Sequence, residues 1–293
     1  MKKKNVKERK IDILYDNTID LLKIIKFHFF TRDKSLIIQN KRYKSIHKGH
    51  RCFILGNGPS VSKFDLSVLK DEIVFCVNEF FRYERYKEVG VDYYFLADPA
   101  YFSEVRNIED KEFSDAINKI SNEDTEIWIP FSFRKDVEKR EWNKKSIRYY
   151  NNNLTWVNQY KKSIRFDKCI PQMQAVIQYA ILLAIYMGFS EIYLLGVEQT
   201  DIFSSLNSYL EKNVQFQYAF RLDDNIREWK RQQILEYSLA DLLAGYSKIF
   251  DLYDEIAEYC ARNGFKIYNC SPGSLIKSIP FKEWSEIDFI NNK

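Results

Sequence analysis

The stretch CFILGNGPSVSKFDL, residues 52–66, decides the prediction of the fold. It opens with an apolar run typical of a buried strand, and that run ends in Gly56 and Gly58, two of only nine glycines in 293 residues. Glycine permits positive φ and a close approach of the main chain to an anion, and a helix N-terminus favours negative charge. The stretch therefore predicts a strand, a loop and a short helix, with the loop either a phosphate site or a tight turn.

The loop carries neither of the two common phosphate-binding motifs. A dinucleotide-binding loop has a third glycine where Val61 stands, and no Gly-Lys pair followed by Ser or Thr completes a Walker loop. A Gly-x-Gly pair after a strand is a weak signal without such a motif. The rest of the chain has to decide between the two interpretations.

Short apolar runs alternate with helical stretches after residue 50. The runs are CFIL (52–55), IVFCVN (73–78), YYFLAD (93–98), EIWIP (126–130), EIYLLGV (191–197) and KIYNCS (266–271). A helix that is apolar nearly all round is predicted over 171–187, from Pro171 to the residue before Gly188. Continuous apolar strands separated by helices predict an α/β fold, with a Rossmann-like parallel sheet covered by helices on both faces.

Four prolines stand at or just beyond the carboxyl ends of predicted strands, namely Pro59, Pro99, Pro130 and Pro272. In open α/β sheets the loops at that edge bind the ligand. We therefore expect one binding site built from these loops.

Composition narrows the class of protein. A net charge of +4 is small for a dedicated nucleic-acid binder, so an anionic small molecule or a membrane surface is the better expectation. Five cysteines without C-x-x-C spacing indicate buried free thiols and a cytoplasmic protein. No apolar stretch reaches the length of about 20 residues that a membrane span requires.

Two regions differ in character. Residues 1–48 form a basic N-terminal extension with a short apolar helix around 19–30, which either lies at an anionic inner membrane surface or packs on the main domain or in an oligomer contact. Residues 49–293 form the Rossmann-like domain. Its polar, weakly patterned stretches 100–165 and 199–245 are interpreted as insertions that form a lid or an acceptor-side subdomain.

Several motifs together resemble a known family. In order they are GNGPS (56–60), VNEFF (77–81), FLADPA (95–100), GFSEIYLLGVE (188–198), QYAF (217–220), GYSK (245–248) and IYNCSPGSL (267–275). This series resembles the bacterial Rossmann-like sialyltransferases of surface-glycan synthesis. The lead-in KGHRCFILGNGPS is also similar to their relatives in the 6-hydroxymethylpterin diphosphokinase-like family. The resemblance spans about residues 49–280.

The resemblance implies roles for particular residues. The family's nucleotide-binding positions correspond to Gly56, Asn57, Gly58, Pro59 and Ser60, to Asn78 after the second strand, and to Tyr218, which would neutralise phosphate. An asparagine of the family after the third strand is replaced by Asp98, and a carboxylate there would repel a phosphate unless it binds hydroxyls or a cation.

The catalytic position departs from the family. The family's base histidine is replaced by Tyr246, and no histidine follows His50. A phenol is a poor base at neutral pH, so either Tyr246 only binds, or a carboxylate accepts the proton. The candidate carboxylates are Asp98, Glu198 and Asp201. The family's arginine before the buried helix also has no clean counterpart, which weakens the case for a carboxylated sugar.

Three functions remain open at this stage. The first is a metal-independent glycosyltransferase without a cofactor, which takes a nucleotide sugar, in the first instance a CMP-sialic acid-like donor, and a glycan or lipid-linked acceptor. The others are a 6-hydroxymethylpterin diphosphokinase-like enzyme and a non-catalytic nucleotide-binding subunit. A cytoplasmic location, with or without contact to the inner face of the membrane, and a homo-oligomer fit each of them.

Overall fold

A computed structural model describes residues 6–102, 111–155 and 164–289, with the backbone alone for residues 6–14. Eight strands form one parallel sheet in the order β6-β5-β4-β3-β2-β1-β7-β8. They are β1 Arg51–Leu55, β2 Ile73–Val77, β3 Tyr93–Phe95, β4 Glu126–Pro130, β5 Ile147–Leu154, β6 Cys169–Pro171, β7 Glu191–Leu195 and β8 Lys266–Asn269.

The α-helices of the described residues cover the sheet and its edges. They are α1 Val6–Phe30, α2 Ser35–Ile38, α3 Lys111–Ser121, α4 Arg134–Glu138, α5 Val176–Met187, α6 Asp201–Asn207, α7 Asp224–Leu235 and α8 Leu239–Asn263. All six strands predicted from the sequence are present, and the α/β parallel-sheet prediction is confirmed.

Successive side chains along each strand point to opposite faces of the sheet, so the core has two layers. Cys52 and Ile54 of β1 face the layer that contains α5 and α8, whereas Phe53 and Leu55 face the opposite layer. Nearly every side chain of α5 is buried, because this helix lies on the sheet with α8 packed beside it. Burial on both faces explains why β1 is an uninterrupted apolar run.

The strand order reverses direction next to β1. From β1 the chain adds β2 to β6 on one side, and it returns through α5 to place β7 on the other side of β1. The loops after β1 and β7 therefore lie side by side at the carboxyl edge of the sheet. A reversal of this kind is the position at which open α/β sheets bind ligands.

Two predicted boundaries differ from the structure. The polar sequence IRYYNNNL is strand β5 rather than part of an inserted lid, and Cys169–Pro171 is strand β6, so α5 begins at Val176 and not at Pro171. The amide of Gln172 donates to Leu154 O at 2.7 Å, which continues the pairing past Pro171. Extended pairing at the sheet edge therefore replaces the first predicted turn of the helix.

The N-terminal helix α1 packs one of its faces on the main domain. Phe27 is buried, and the buried Asp20 carboxylate accepts hydrogen bonds from the amide and the hydroxyl of Thr155, just beyond β5. The predicted extension is therefore joined to the sheet through this face. Its opposite face is exposed.

The five cysteines are buried and free, as predicted. Among the described residues, no helix combines the length with the apolar character that a membrane span needs.

Candidate functional site

A cleft of about 900 Å³ opens at the carboxyl edge of the sheet. Residues at or just beyond the ends of seven strands line it, from β1 to β7, and α1, α7 and α8 contribute at its rim. The four prolines at predicted strand ends lie along this edge, and two of them, Pro99 and Pro130, line the cleft. The predicted location of the binding site therefore coincides with a real cavity.

Glycines allow the loops after β1 and β7 to touch. A Cβ atom on Gly56 would lie 2.4 Å from Gly196 O, and one on Gly58 would lie 1.6 Å from the Glu198 carboxylate. Gly196 itself has φ +66° and faces Val61. The Gly-x-Gly pair is thus required by the close approach of two loops, which is the physical reason for its glycines.

The amides of the GNGPS loop are largely used within the protein. Gly56 N donates to Leu195 O at 2.7 Å, Gly58 N to Gly196 O at 2.9 Å, and Ser60 N to Glu198 Oε1 at 2.7 Å. Pro59, which begins a short 3-10 helix, has no amide hydrogen to give. Glu198 therefore occupies the place at the helix start where the sequence predicts a phosphate, and a nucleotide would be held mainly by side chains.

Two asparagines offer such side chains to the cleft. Asn57 and Asn78 both line it, and the Oδ1 atom of each is buried without a hydrogen-bond partner. Asn78 also has φ +53°, a conformation that asparagine tolerates better than most residues. Buried acceptors without partners are costly, so these two side chains are ready to bind a ligand.

A partly buried chain of hydrogen bonds runs from the wall of the cleft to α8. Tyr246 of α8 donates to Asp201 Oδ2 at 2.8 Å, its hydroxyl lies 2.9 Å from Ser205 Oγ, and Gln199 Nε2 donates to Asp201 Oδ1 at 3.0 Å. Burial raises the pKa of Asp201, and burial together with the Asp201 charge raises the pKa of Tyr246. Asp201 lines the cleft and Tyr246 stands behind it.

This geometry assigns different roles to the two residues. A phenol whose pKa is raised and which donates to a carboxylate cannot serve as a base near neutral pH. Tyr246 is therefore a positioning residue for Asp201. The carboxylate, with its raised pKa and its place in the cleft, is the better candidate for a proton acceptor.

The other two candidate carboxylates are placed less favourably. Asp98 is exposed, and its Oδ1 accepts from the amide of Ala100 in a local turn. Glu198 is buried, with one oxygen bound to Ser60 N and the other pressed against Gly58. Both line the cleft. Glu198, however, joins two loops and so has a structural role.

Tyr218 lies in the segment that follows α6. It lines the cleft, and the ammonium of Lys230, from α7, lies 5.4 Å from the centre of its ring. Lys230 also lies 3.7 Å from the buried carboxylate of Glu79. The amide of Ala219 donates to Asn57 O at 2.9 Å, which fixes the Tyr218 segment against the GNGPS loop.

The motif at the end of β8 supports the site from behind. The side chain of Asn269 donates to Val197 O, Ser271 Oγ accepts from Val197 N at 2.8 Å, and Ser274 Oγ donates to Val197 O. All three side chains are buried. The polar residues of IYNCSPGSL therefore hold the loop that carries Glu198 and Asp201.

Several residues of the cleft were not predicted from the sequence. Most are amides at the ends of β5 and β6, namely Asn151, Asn152, Asn153, Gln172 and Gln174. The others are Glu79, beyond β2, and Lys230, on α7. The Asn-Asn-Asn run was the sequence signal that could have revealed them, since three successive polar residues near the end of a strand indicate a solvent-exposed edge of the sheet. Counted over the described residues of the lining, four are acidic, two are lysines and none is arginine or histidine.

Comparisons with known proteins give only distant likenesses. No protein-family model and no curated protein matches the chain. Among solved structures it is similar to the sialyltransferase CST-II in complex with a trisaccharide acceptor and CMP, with 18% identity over 82% of this chain and 89% of that chain and a TM-score of 0.44.

Two further structures are similar at the same level. CstII from Campylobacter jejuni, in complex with the substrate analogue cytidine-5'-monophosphate, has 18% identity over 80% of this chain and 85% of that chain, with a TM-score of 0.42. The MAf glycosyltransferase from Magnetospirillum magneticum AMB-1 has 14% identity over 87% of this chain and 39% of that chain, with a TM-score of 0.47. Because these identities and scores are low, the activity is inferred from the site itself.

Proposed function

We propose that the chain is a metal-independent glycosyltransferase that takes its sugar from a nucleotide, with a CMP-sialic acid-like donor as the first candidate, in the synthesis of a surface polysaccharide or lipooligosaccharide. The observation that carries the proposal is the Asp201 carboxylate, partly buried and hydrogen-bonded to Tyr246, in a cleft at the sheet's reversal point. The sequence motifs from GNGPS to IYNCSPGSL support the class of donor.

The geometry suggests a single displacement. The acceptor oxygen forms a bond to the anomeric carbon of the sugar while the bond from that carbon to the phosphate oxygen breaks. Asp201 accepts the proton of the acceptor hydroxyl, and the bonding electron pair leaves with the nucleotide phosphate. Tyr218 and Lys230, which lie together at the cleft, would stabilise the charge on that phosphate.

Binding of nucleotides tests the proposal most directly. The ligands are CMP, UDP, GDP and ATP, each with and without magnesium, measured by thermal shift and ligand-observed NMR, followed by a transfer assay with the sugar form of the nucleotide that binds. Binding of CMP without magnesium, followed by transfer, would support the proposal. Binding of ATP only with magnesium would replace it with a diphosphokinase, and no binding at all would indicate a non-catalytic subunit.

Removing the amide side chains of the cleft should weaken nucleotide binding. We expect Asn57→Ala and Asn78→Gly each to raise the Kd by about 10- to 100-fold, because each loses a hydrogen bond to the ligand. Glycine is chosen at position 78 because it keeps the positive φ without strain. Isothermal titration measures the Kd, and Asn122→Ala, at the exposed end of α3, is the control. Wild-type affinity in both variants would remove the loops after β1 and β2 from the nucleotide site.

Loss of the Tyr246 hydroxyl should move the pH profile. The hydrogen bond from Tyr246 lowers the pKa of Asp201, so Tyr246→Phe raises that pKa further. Activity of a base falls as the pH drops through its pKa, and we therefore expect the acid limb of kcat/KM to move to higher pH in the variant.

Tyr253→Phe is the matched control, since this tyrosine lies on the same helix and its buried hydroxyl has no hydrogen-bond partner. If the acid limb is unchanged in Tyr246→Phe, Tyr246 only packs against its neighbours and the base is another residue.

A further inference from the structure

The side of α1 that faces away from the main domain carries exposed apolar side chains. Tyr15, Leu22, Ile25 and Phe29 lie along one side of the helix, and each is at least 40% exposed. The buried residues Asp20 and Phe27 lie on the opposite side. The helix therefore has two apolar sides, and only one of them is used within the chain.

The charged residues around the C-terminal half of this face are of one sign. Residues 21–32 include Lys23, Lys26, His28 and Arg32 and no acidic residue. Lys26 and Arg32 are exposed, and the helical spacing places Lys26 within the apolar side, close to Leu22 and Phe29. The stretch MKKKNVKERK at residues 1–10 carries further positive charge and is separated from residues 21–32 by Asp12, Asp16 and Asp20.

The exposed apolar side chains together with the positive charges favour one binding partner for this face of α1. A second copy of the chain packed on this face would bury Lys26 in an apolar interface. Residues 15–29 offer it no acidic partner there, since the helical spacing places Asp16 and Asp20 off this side of α1 and Asp20 is buried. A bilayer surface accepts both features, since the apolar side chains enter the acyl region while lysine and arginine extend to anionic headgroups.

We propose that α1 binds the surface of an anionic lipid bilayer through Tyr15, Leu22, Ile25 and Phe29, with Lys26 and Arg32 at the headgroups. Lys23, one residue from Leu22, lines the cleft. The mouth of the cleft is therefore next to the membrane surface when the helix is bound. The proposal does not depend on which reaction the cleft carries out.

Sedimentation with vesicles tests the full-length chain. The vesicles contain phosphatidylcholine, either pure or with about one third phosphatidylglycerol, at low and high salt. We expect binding to the anionic vesicles that weakens with salt, and we expect Leu22→Ser with Phe29→Ser to reduce the partition coefficient on the order of 100-fold, because two exposed apolar side chains are lost. The control is Leu210→Ser, which removes an 81% exposed leucine beyond α6.

Thermal unfolding and analytical ultracentrifugation distinguish the possible outcomes of the vesicle experiment. Both substituted α1 residues are exposed, so the thermal unfolding of the double variant should match that of the wild type. Equal vesicle binding by the wild type and the double variant, or no binding by the wild type, would overturn the proposal. A dimer in analytical ultracentrifugation that the double variant converts to a monomer, with vesicle binding unchanged, would assign the face to a second copy of the chain.

Discussion

Asp201→Asn is expected to reduce kcat by about 10²- to 10⁴-fold, the range that a positioned general base contributes. The substitution keeps the size of the side chain, and its Oδ1 can still accept from Tyr246. Its Nδ2 then faces Gln199, whose amide has to rotate to present its oxygen in place of Nε2. Nucleotide affinity should stay close to that of the wild type, because the carboxylate acts on the acceptor hydroxyl. Steady-state transfer assays at saturating donor, paired with titration of the nucleotide, separate the two effects.

Glu198→Gln is the matched control for this experiment. Glu198 lines the same cleft, and a glutamine oxygen at this position can still accept from Ser60 N. We expect its kcat to remain within about tenfold of the wild type, since the amide replaces a structural contact rather than a base. A large loss in Glu198→Gln with a small loss in Asp201→Asn would exchange the roles of the two carboxylates.

The strands could be predicted wherever the sheet buries both faces. Phe53 and Ile54 of β1 face different core layers and leave a continuous apolar run in the sequence. Strand β5 ends in Asn151–Asn153, which line the cleft, so half of it is polar and the apolar signal is lost. The polar residues that line the cleft therefore prevented the prediction of strand β5 from apolar runs.

The site could be located but not fully assigned from the sequence. Strand ends and prolines indicated the edge of the sheet that carries the cleft, because parallel strands bring their carboxyl ends together. The partners of Asp201 and Glu198 could not be predicted, since Tyr246 and Ser60 are distant in sequence and meet these residues only through tertiary packing. A resemblance of motifs likewise led to Tyr246 as a candidate catalytic residue, and the sequence did not reveal that its hydroxyl donates to Asp201.

Gly58→Ala is expected to lower the free energy of unfolding by about 3 to 5 kcal/mol, which is a large part of the stability of a typical domain. The added methyl group would lie 1.6 Å from Glu198 Oε2, so the carboxylate must move. The hydrogen bond from Ser60 N to Glu198 is then lost, and the loops after β1 and β7 separate. Chemical denaturation with linear extrapolation measures the change.

A double-mutant cycle with Glu198→Ala distinguishes this specific clash from a general intolerance of alanine. If the clash with the carboxylate dominates, Gly58→Ala should cost much less in the Glu198→Ala background than in the wild type, and the coupling should exceed about 1 kcal/mol. Relief would be partial, because Gly196 O also lies 2.7 Å from the added atom. Additive effects on the free energy of unfolding would mean that the backbone contact with Gly196 O is what requires glycine at position 58. In that case the Gly-x-Gly pair would exist to let two loops touch, and Glu198 would be free of any part in selecting it.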